Sequence, residues 1–193
     1  GLLDYAEFVH EDVNVLECYK YVIPDIKEDH IINYIQFRSD KATEAINLSF
    51  ELDSTYIIGD NGKKLWNDNC LYRTDKHPVI FIAETWTDAL SMEEMGYSAI
   101  ALNRIHNVLT LWKKCKTIEN IRNTRFISIC DNDFYGRKSN NNVTKMFESI
   151  GCRVSVFDRF LEDIKDCNEW LQSNRHEFEE TIKKFLKSEC GGV

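Results

Sequence analysis

The chain has 193 residues, 43% of them hydrophobic, with only eight glycines and two prolines, enough to bury one sizeable core or two small ones and too apolar to be disordered along most of its length. Its 24 basic and 32 acidic residues leave a net charge of −8, which speaks against indiscriminate nucleic-acid binding. No apolar run is long enough to cross a bilayer, so no membrane partner is expected, and the seven scattered cysteines form no Cys-x-x-Cys pair; reduced, cytoplasmic thiols are expected rather than a zinc site or a disulfide framework. Gly1 and the terminal Cys-Gly-Gly-Val suggest a piece of a longer protein.

Residues 1–77 read as a small α+β subdomain. A short helix is expected within Leu2–Tyr21, a turn at Pro24-Asp25, strands at Ile31–Arg38 and Thr55–Ile58, and a turn at Asp60-Asn61-Gly62. Ser39–Glu51 carries no assignable pattern. From Pro78 the pattern alternates: an apolar strand at Val79–Ala83, a helix from Thr87 to Met95 ended by Gly96, a strand at Ser98–Leu102, and a helix over Val108–Asn120. A strand at Arg125–Cys130, a helix over Asn140–Ile150 stopped by Gly151, a strand at Arg153–Phe157 and a helix over Asn168–Lys187 complete it. Unbroken apolar strands separated by helices predict an α/β fold in residues 78–193, a mostly parallel sheet with helices on both faces and sites at the carboxyl ends of strands.

Two such strand ends are acidic. Asp131 and Asp133, one residue apart, can present both carboxylates to one small volume, where they repel unless a proton or a cation lies between them. Oxygen donors of this kind suit a hard divalent ion, Mg²⁺ or Mn²⁺. Glu84 ends the first strand of the series, and Asp88 follows four residues later. Arg137 and Lys138 come next after Asp133 and Gly136, where positive charge favours phosphate. Asp131 and Asp133 are the first-choice metal ligands, with Asp88 and Asp166 next; Glu84 is a ligand or a general acid/base. Read alone, Asp88 is also compatible with a first-turn helix position and Asp166 with a helix cap. Lys113, Lys114 and Lys116 read as a solvated helix face, and Trp66 and Trp170 as packing residues.

A strand ending in Glu, an Asp four residues on and then an Asp-x-Asp strand end resemble, in this order, the Toprim domain shared by DnaG-type primases, topoisomerases and some nucleases. Glu84-Thr-Trp-Thr-Asp88 is similar to the Glu-Gly-x-x-Asp motif of the primase branch, Asp131-Asn-Asp-Phe-Tyr-Gly-Arg137 to its Asp-x-Asp-x-x-Gly-Arg segment, and Lys165-Asp-Cys-Asn-Glu-Trp-Leu171 to its Lys-Asp-Pro-Asp-Glu-Tyr segment. The resemblance covers roughly Val79–Leu171. Upstream, Phe37-Arg38 and the Asn61–Asn67 run are similar to the amino-terminal subdomain of primase cores, including those of phage or other mobile-element primase-helicases. It implies a Rossmann-like Toprim fold and a metal-dependent nucleotidyltransferase, a DNA primase making short RNA primers on single-stranded DNA from NTPs. It further implies catalytic roles for Glu84, Asp131 and Asp133, nucleotide or phosphate contacts at Arg38, Lys63, Lys64, Arg137 and Lys138, and a replicative helicase partner. A Toprim nuclease and a non-catalytic nucleic-acid-binding module are the alternatives. The chain departs from the family at Thr85, Arg104 and Asn168, where Gly, Gly and Asp are common, and at Thr55, which stands for a lysine.

Overall fold

The computed structural model describes residues 21–26, 32–38, 55–59, 65–73 and 78–190. The chain divides into two compact units, 1–63 and 64–193. The first contains a three-stranded antiparallel sheet of β1 (Tyr21–Ile26), β2 (Ile32–Arg38) and β3 (Thr55–Gly59), in the order β1-β2-β3. β2 and β3 fall where the apolar patterns predict them. The turn expected at Pro24-Asp25 does not form: the strand runs through both residues, with Pro24 opposite Ile35 and a register shift only between Asp25 and Ile26. β1 pairs on one side only, and an edge strand tolerates a residue without an N–H. The expected helix in Leu2–Tyr21 and the turn at Asp60–Gly62 lie outside the described residues.

The second unit is the α/β body. Its strands are β4 (Val79–Ala83), β5 (Ser98–Ala101), β6 (Arg125–Ile129) and β7 (Arg153–Val156), all parallel and ordered β5-β4-β6-β7. The helices are α1 (Trp86–Glu94), α2 (Val108–Cys115), α3 (Phe134–Glu148) and α4 (Cys167–Cys190). Strand pleat divides the core in two. Phe81, Ala83, Ile127 and Ile129 face a layer holding Met92 of α1 and Trp170, Phe178 and Ile182 of α4. Their neighbours Ile80, Ile82 and Phe126 face Leu111 of α2 and Val143 and Phe147 of α3. Both faces of the sheet are thus covered, which is why the strands read as continuous apolar runs.

The helix ends differ from the sequence reading in instructive ways. α3 begins at Phe134, six residues before the expected Asn140, because Asp133 caps it: the carboxylate accepts from the Gly136 N–H at 2.8 Å. α2 stops at Cys115 rather than Asn120. α4 is broken at Asn174 (φ −152°, ψ 79°), whose side chain accepts from the Glu177 N–H and restarts the helix. Gly96 adopts φ +87°, the left-handed conformation that closes α1 as its position suggests. Trp170 is 1% exposed in an aromatic cluster with Phe157, Phe160 and Phe178, in keeping with a packing role. The solvated lysine face holds only in part, since Lys114 pairs with buried Asp68 and Lys116 lies over the Trp112 ring at 4.4 Å.

Candidate functional site

From β4 the chain moves outward one way, through α1 to β5; from β6 it moves the other way, through α3 to β7. The strand order therefore reverses between β4 and β6, and a crevice opens at the carboxyl ends of those two strands. Glu84 is the first residue after β4, and Asp131 the second after β6. The topology alone brings these two side chains to the switch point.

Local chemistry fixes each one. Thr85 caps α1 from an extended conformation (φ −116°), so this strand-to-helix turn needs no glycine. Its hydroxyl also bonds the Asp88 carboxylate and lies 2.7 Å from the Thr87 hydroxyl. The second Asp88 oxygen accepts from the Asn168 N–H at 3.2 Å, which ties α1 to the start of α4. The Glu84 carbonyl accepts from Asn103 N–H at 2.7 Å, with Asn103 itself in the left-handed region (φ 57°). Asn132 holds the acidic loop down: its N–H donates to the Lys165 carbonyl at 2.6 Å and its amide to Leu161 and Ile164 carbonyls at 3.2 and 3.1 Å. At the base of the loop, Asn140 accepts from the Ser128 hydroxyl at 2.6 Å.

Asp131 is buried, with one oxygen 3.2 Å from the Lys165 ammonium. Its other oxygen, Oδ1, and Glu84 Oε2 are buried acceptors that meet no donor among the described residues. Burial, then the charges of Asp131, Asp133 and Asp88, pushes the Glu84 carboxyl up to about 7. Burial likewise raises Asp88 to about 6, against the Thr85 hydrogen bond and with the Asp166 charge adding to it. Asp131 is raised by burial, while Lys165 opposes the rise; Lys165 in turn is raised by its bond to Asp131. Asp166 caps α4, accepting from the Glu169 N–H at 2.8 Å. Glu84, Asp88, Asp131, Asp133 and Asp166 thus form one electrostatically coupled acidic centre.

Arg137 and Lys138 lie exposed in the opening turns of α3, directly after this centre. Arg38 ends β2, paired with Tyr21 and Thr55, and belongs to the other unit. Lys63 and Lys64 lie outside the described residues. Sequence reading of the candidate ligands passed over Lys165, Thr85 and Asn132, although all three lie within the quoted motifs. An open groove of about 550 Å³ runs from Lys165 and Asp166 past Asn168, Glu169, Gln172 and Ser173. A larger cavity of about 660 Å³, beside Trp112, Lys116 and Arg122, sits at the opposite ends of the strands and has no carboxylate in its lining.

The donor set suits a hard cation: every candidate is a carboxylate oxygen, two of those oxygens are buried and unpaired among the described residues, and the carboxyls are raised first by burial and then by their acidic neighbours. Among the described residues no three His, Cys, Asp or Glu side chains form a ready-made metal cage. The site is a group of neighbouring acidic donors with Lys165 as counter-charge.

Residues 81–171 match the family model described as Toprim-like. Over this stretch the chain has a Toprim-like fold. Its fold matches that of primase structures. The primase fragment of the bacteriophage T7 primase-helicase protein aligns with a TM-score of 0.59 at 19% identity, over 83% of this chain and 61% of that one. The Aquifex aeolicus primase, with its zinc-binding and RNA polymerase domains, aligns at 0.60 and 16% identity, over 86% and 39%. The RNA polymerase domain of Mycobacterium tuberculosis primase DnaG aligns at 0.56 and 12% identity, over 94% and 63%. This chain therefore spans less than two thirds of each, and at these identities the likeness establishes a shared fold. A search of curated proteins found no match. No helix among the described residues is long and apolar enough to cross a membrane.

Proposed function

We propose that the chain is the catalytic core, or part of one, of a DnaG-like primase, a nucleotidyltransferase that makes short RNA primers on single-stranded DNA from NTPs. The observation that carries this reading is the pair of buried, unpaired oxygens, Glu84 Oε2 and Asp131 Oδ1, at the switch point of a Toprim-like domain. The primase likeness of the fold supports it.

In this reading Asp131 and Asp133 hold Mg²⁺ or Mn²⁺, with Glu84, Asp88 and Asp166 completing the surroundings. A bound divalent ion supplies neutralisation of phosphate charge and stabilisation of the pyrophosphate leaving group. The protein's own groups do the rest. Glu84, whose carboxyl is raised to about 7 by burial and its acidic neighbours before any ion binds, is suited to accept the proton of the attacking 3′-hydroxyl. Asp133 is oriented by its bond to the Gly136 N–H, and Asp131 by the Asn132 clamp and Lys165. Arg137 and Lys138 contact phosphate oxygens at the rim, and Arg38, Lys63 and Lys64 are further candidates for nucleotide or phosphate contacts. Asn168 stands where an acid is common, and its N–H positions Asp88. A zinc-binding template module and a helicase, in the same parent protein or as partners, belong to this picture, as does a cytoplasmic setting.

One gel tests it. The protein and its Asp131→Ala variant are incubated with end-labelled single-stranded DNA, labelled NTPs and Mg²⁺ or Mn²⁺. Short RNA products that vanish in the variant are expected. Asp131-dependent shortening of the DNA would replace this reading with a nuclease, and absence of both products together with absence of metal binding would point to a binding module.

A further inference from the structure

Phe134 and Tyr135 are the two most exposed large hydrophobic side chains among the described residues, at 68% and 67%. Most large aromatics of this unit are spent on packing: Phe81, Phe126, Phe147, Phe157, Phe178 and Trp170 are all at 1% or less, although Tyr72 is exposed as well, at 54%. The adjacent pair stands directly after Asp133, in the first turn of α3. That helix buries Gly136, Ser139, Asn140, Val143 and Phe147, so its opposite face carries the two rings outward. The rings meet edge to face, 5.5 Å between centroids at 80°. Their base is rigid, because Asp133 caps the turn and Gly136 seats it on the Asp131 main chain.

Charge accompanies the rings. Arg137 is three residues from Phe134, and Lys138 is four from Phe134 and three from Tyr135, so both cations share the outer face of the same two turns. Among the described residues neither forms an ion pair. Exposed π-faces one turn from free cations are complementary to a chain that alternates flat bases with phosphates. We propose that Phe134 and Tyr135 form a stacking platform for unpaired bases of a single-stranded nucleic acid, whose phosphates are met by Arg137 and Lys138. The platform lies at the edge of the acidic centre, and it deepens the reading of that centre as one that works on a single strand. Stacking accepts any base, so the contact holds the strand without choosing its sequence.

The test measures anisotropy of a fluorescein-labelled oligothymidylate on the intact chain, in EDTA so that binding does not depend on a divalent ion. Replacing both rings (Phe134→Ala with Tyr135→Ala) is expected to weaken binding by about tenfold or more. A Phe134→Leu/Tyr135→Leu pair, apolar but without π-faces, is expected to weaken it similarly. Arg137→Ala lowers the slope of affinity against salt by about one. A Phe134→Trp variant provides an independent readout, its fluorescence quenched when a base stacks. Wild-type affinity in the leucine pair, or no oligonucleotide binding by the parent chain, overturns the platform; in the first case the surface suits a protein partner instead. Primer synthesis is scored on the same proteins. Primers made equally well with and without the rings, at unchanged affinity, sink the platform and leave nucleotidyl transfer standing. Ring-dependent binding without primer synthesis does the reverse.

Discussion

Gly136 owes its identity to a neighbour and not to its own backbone. A Cβ built there would run into the main chain of Asp131, 2.6 Å from the carbonyl carbon and 2.7 Å from the nitrogen. These are backbone atoms, which no side-chain rotation can move aside. The same close approach lets Asp133 bond the Gly136 N–H and sets Asp131 and Asp133 against the end of β6. Gly136→Ala is therefore expected to cost about 3 kcal/mol, at the upper end of overpacking, with the melting temperature falling by roughly 10 °C. Surviving folded protein should lose divalent binding along with stability, since the acidic loop must shift to admit the methyl. Thermal melting with and without Mg²⁺ reads both effects; an unchanged melting temperature would mean that the loop does not sit on the helix as described.

At the scale of elements, the strand-to-helix turn at Glu84–Asp88 is the informative one. The Toprim resemblance has glycine at position 85, and the structure explains why threonine serves: the residue is extended, and its hydroxyl caps α1 while holding Asp88. Thr85→Ala is expected to lose about 1 kcal/mol, or roughly 3 °C, through the cap, with Thr85→Ser restoring most of it. Asp88 also loses a donor in the alanine variant, so Mg²⁺ affinity should fall further than melting alone implies; isothermal titration checks this, and an unaffected affinity would detach Asp88 from the cation site. What could be read from sequence follows the same logic. Val79–Ala83 is legible because both faces are buried and nothing interrupts the apolar run, and Arg125–Ile129 because Phe126, Ile127 and Ile129 dominate it despite the buried Ser128. Glu84, Asp88, Asp131 and Asp133 stand out in the sequence by their order and spacing, although Asp133 also caps α3 and Asp88 lies in the first turn of α1. The first turns of α3 are not, because Phe-Tyr-Gly-Arg-Lys-Ser lacks helical periodicity and is held by one cap and one close contact. Lys165 as the partner of Asp131, and Asn132 as its clamp, depend on contacts 29 or more residues apart, which no local pattern encodes.

For the molecule as a whole, the acidic centre sits inside a chain that already carries a charge of −8, so folding without a counter-ion gathers like charge at the switch point. The sign of the pH dependence follows from the raised carboxyls. Glu84 moves from 4.5 to about 7 and Asp88 from 3.8 to about 6, so the folded state binds more protons than the unfolded one across that window. Their contribution to stability is full below the unfolded values and is lost as pH rises through 6 to 7. In EDTA the melting temperature should therefore drop between pH 5 and pH 8, by about 5 °C or more. Mg²⁺ should recover most of that loss at pH 8 and recover less at pH 5, where Glu84 and Asp88 already hold protons. General repulsion among the surface charges has the same sign, and Glu84→Gln separates the two. It removes one charge of eight from the net balance, but it removes the carboxyl that burial and its acidic neighbours raise to about 7. A flatter pH profile and a smaller Mg²⁺ response in this variant identify the switch point as the origin. A profile that keeps its parent slope assigns the effect to net charge, and the acidic centre would then be a weaker ion site than its buried, unpaired oxygens imply.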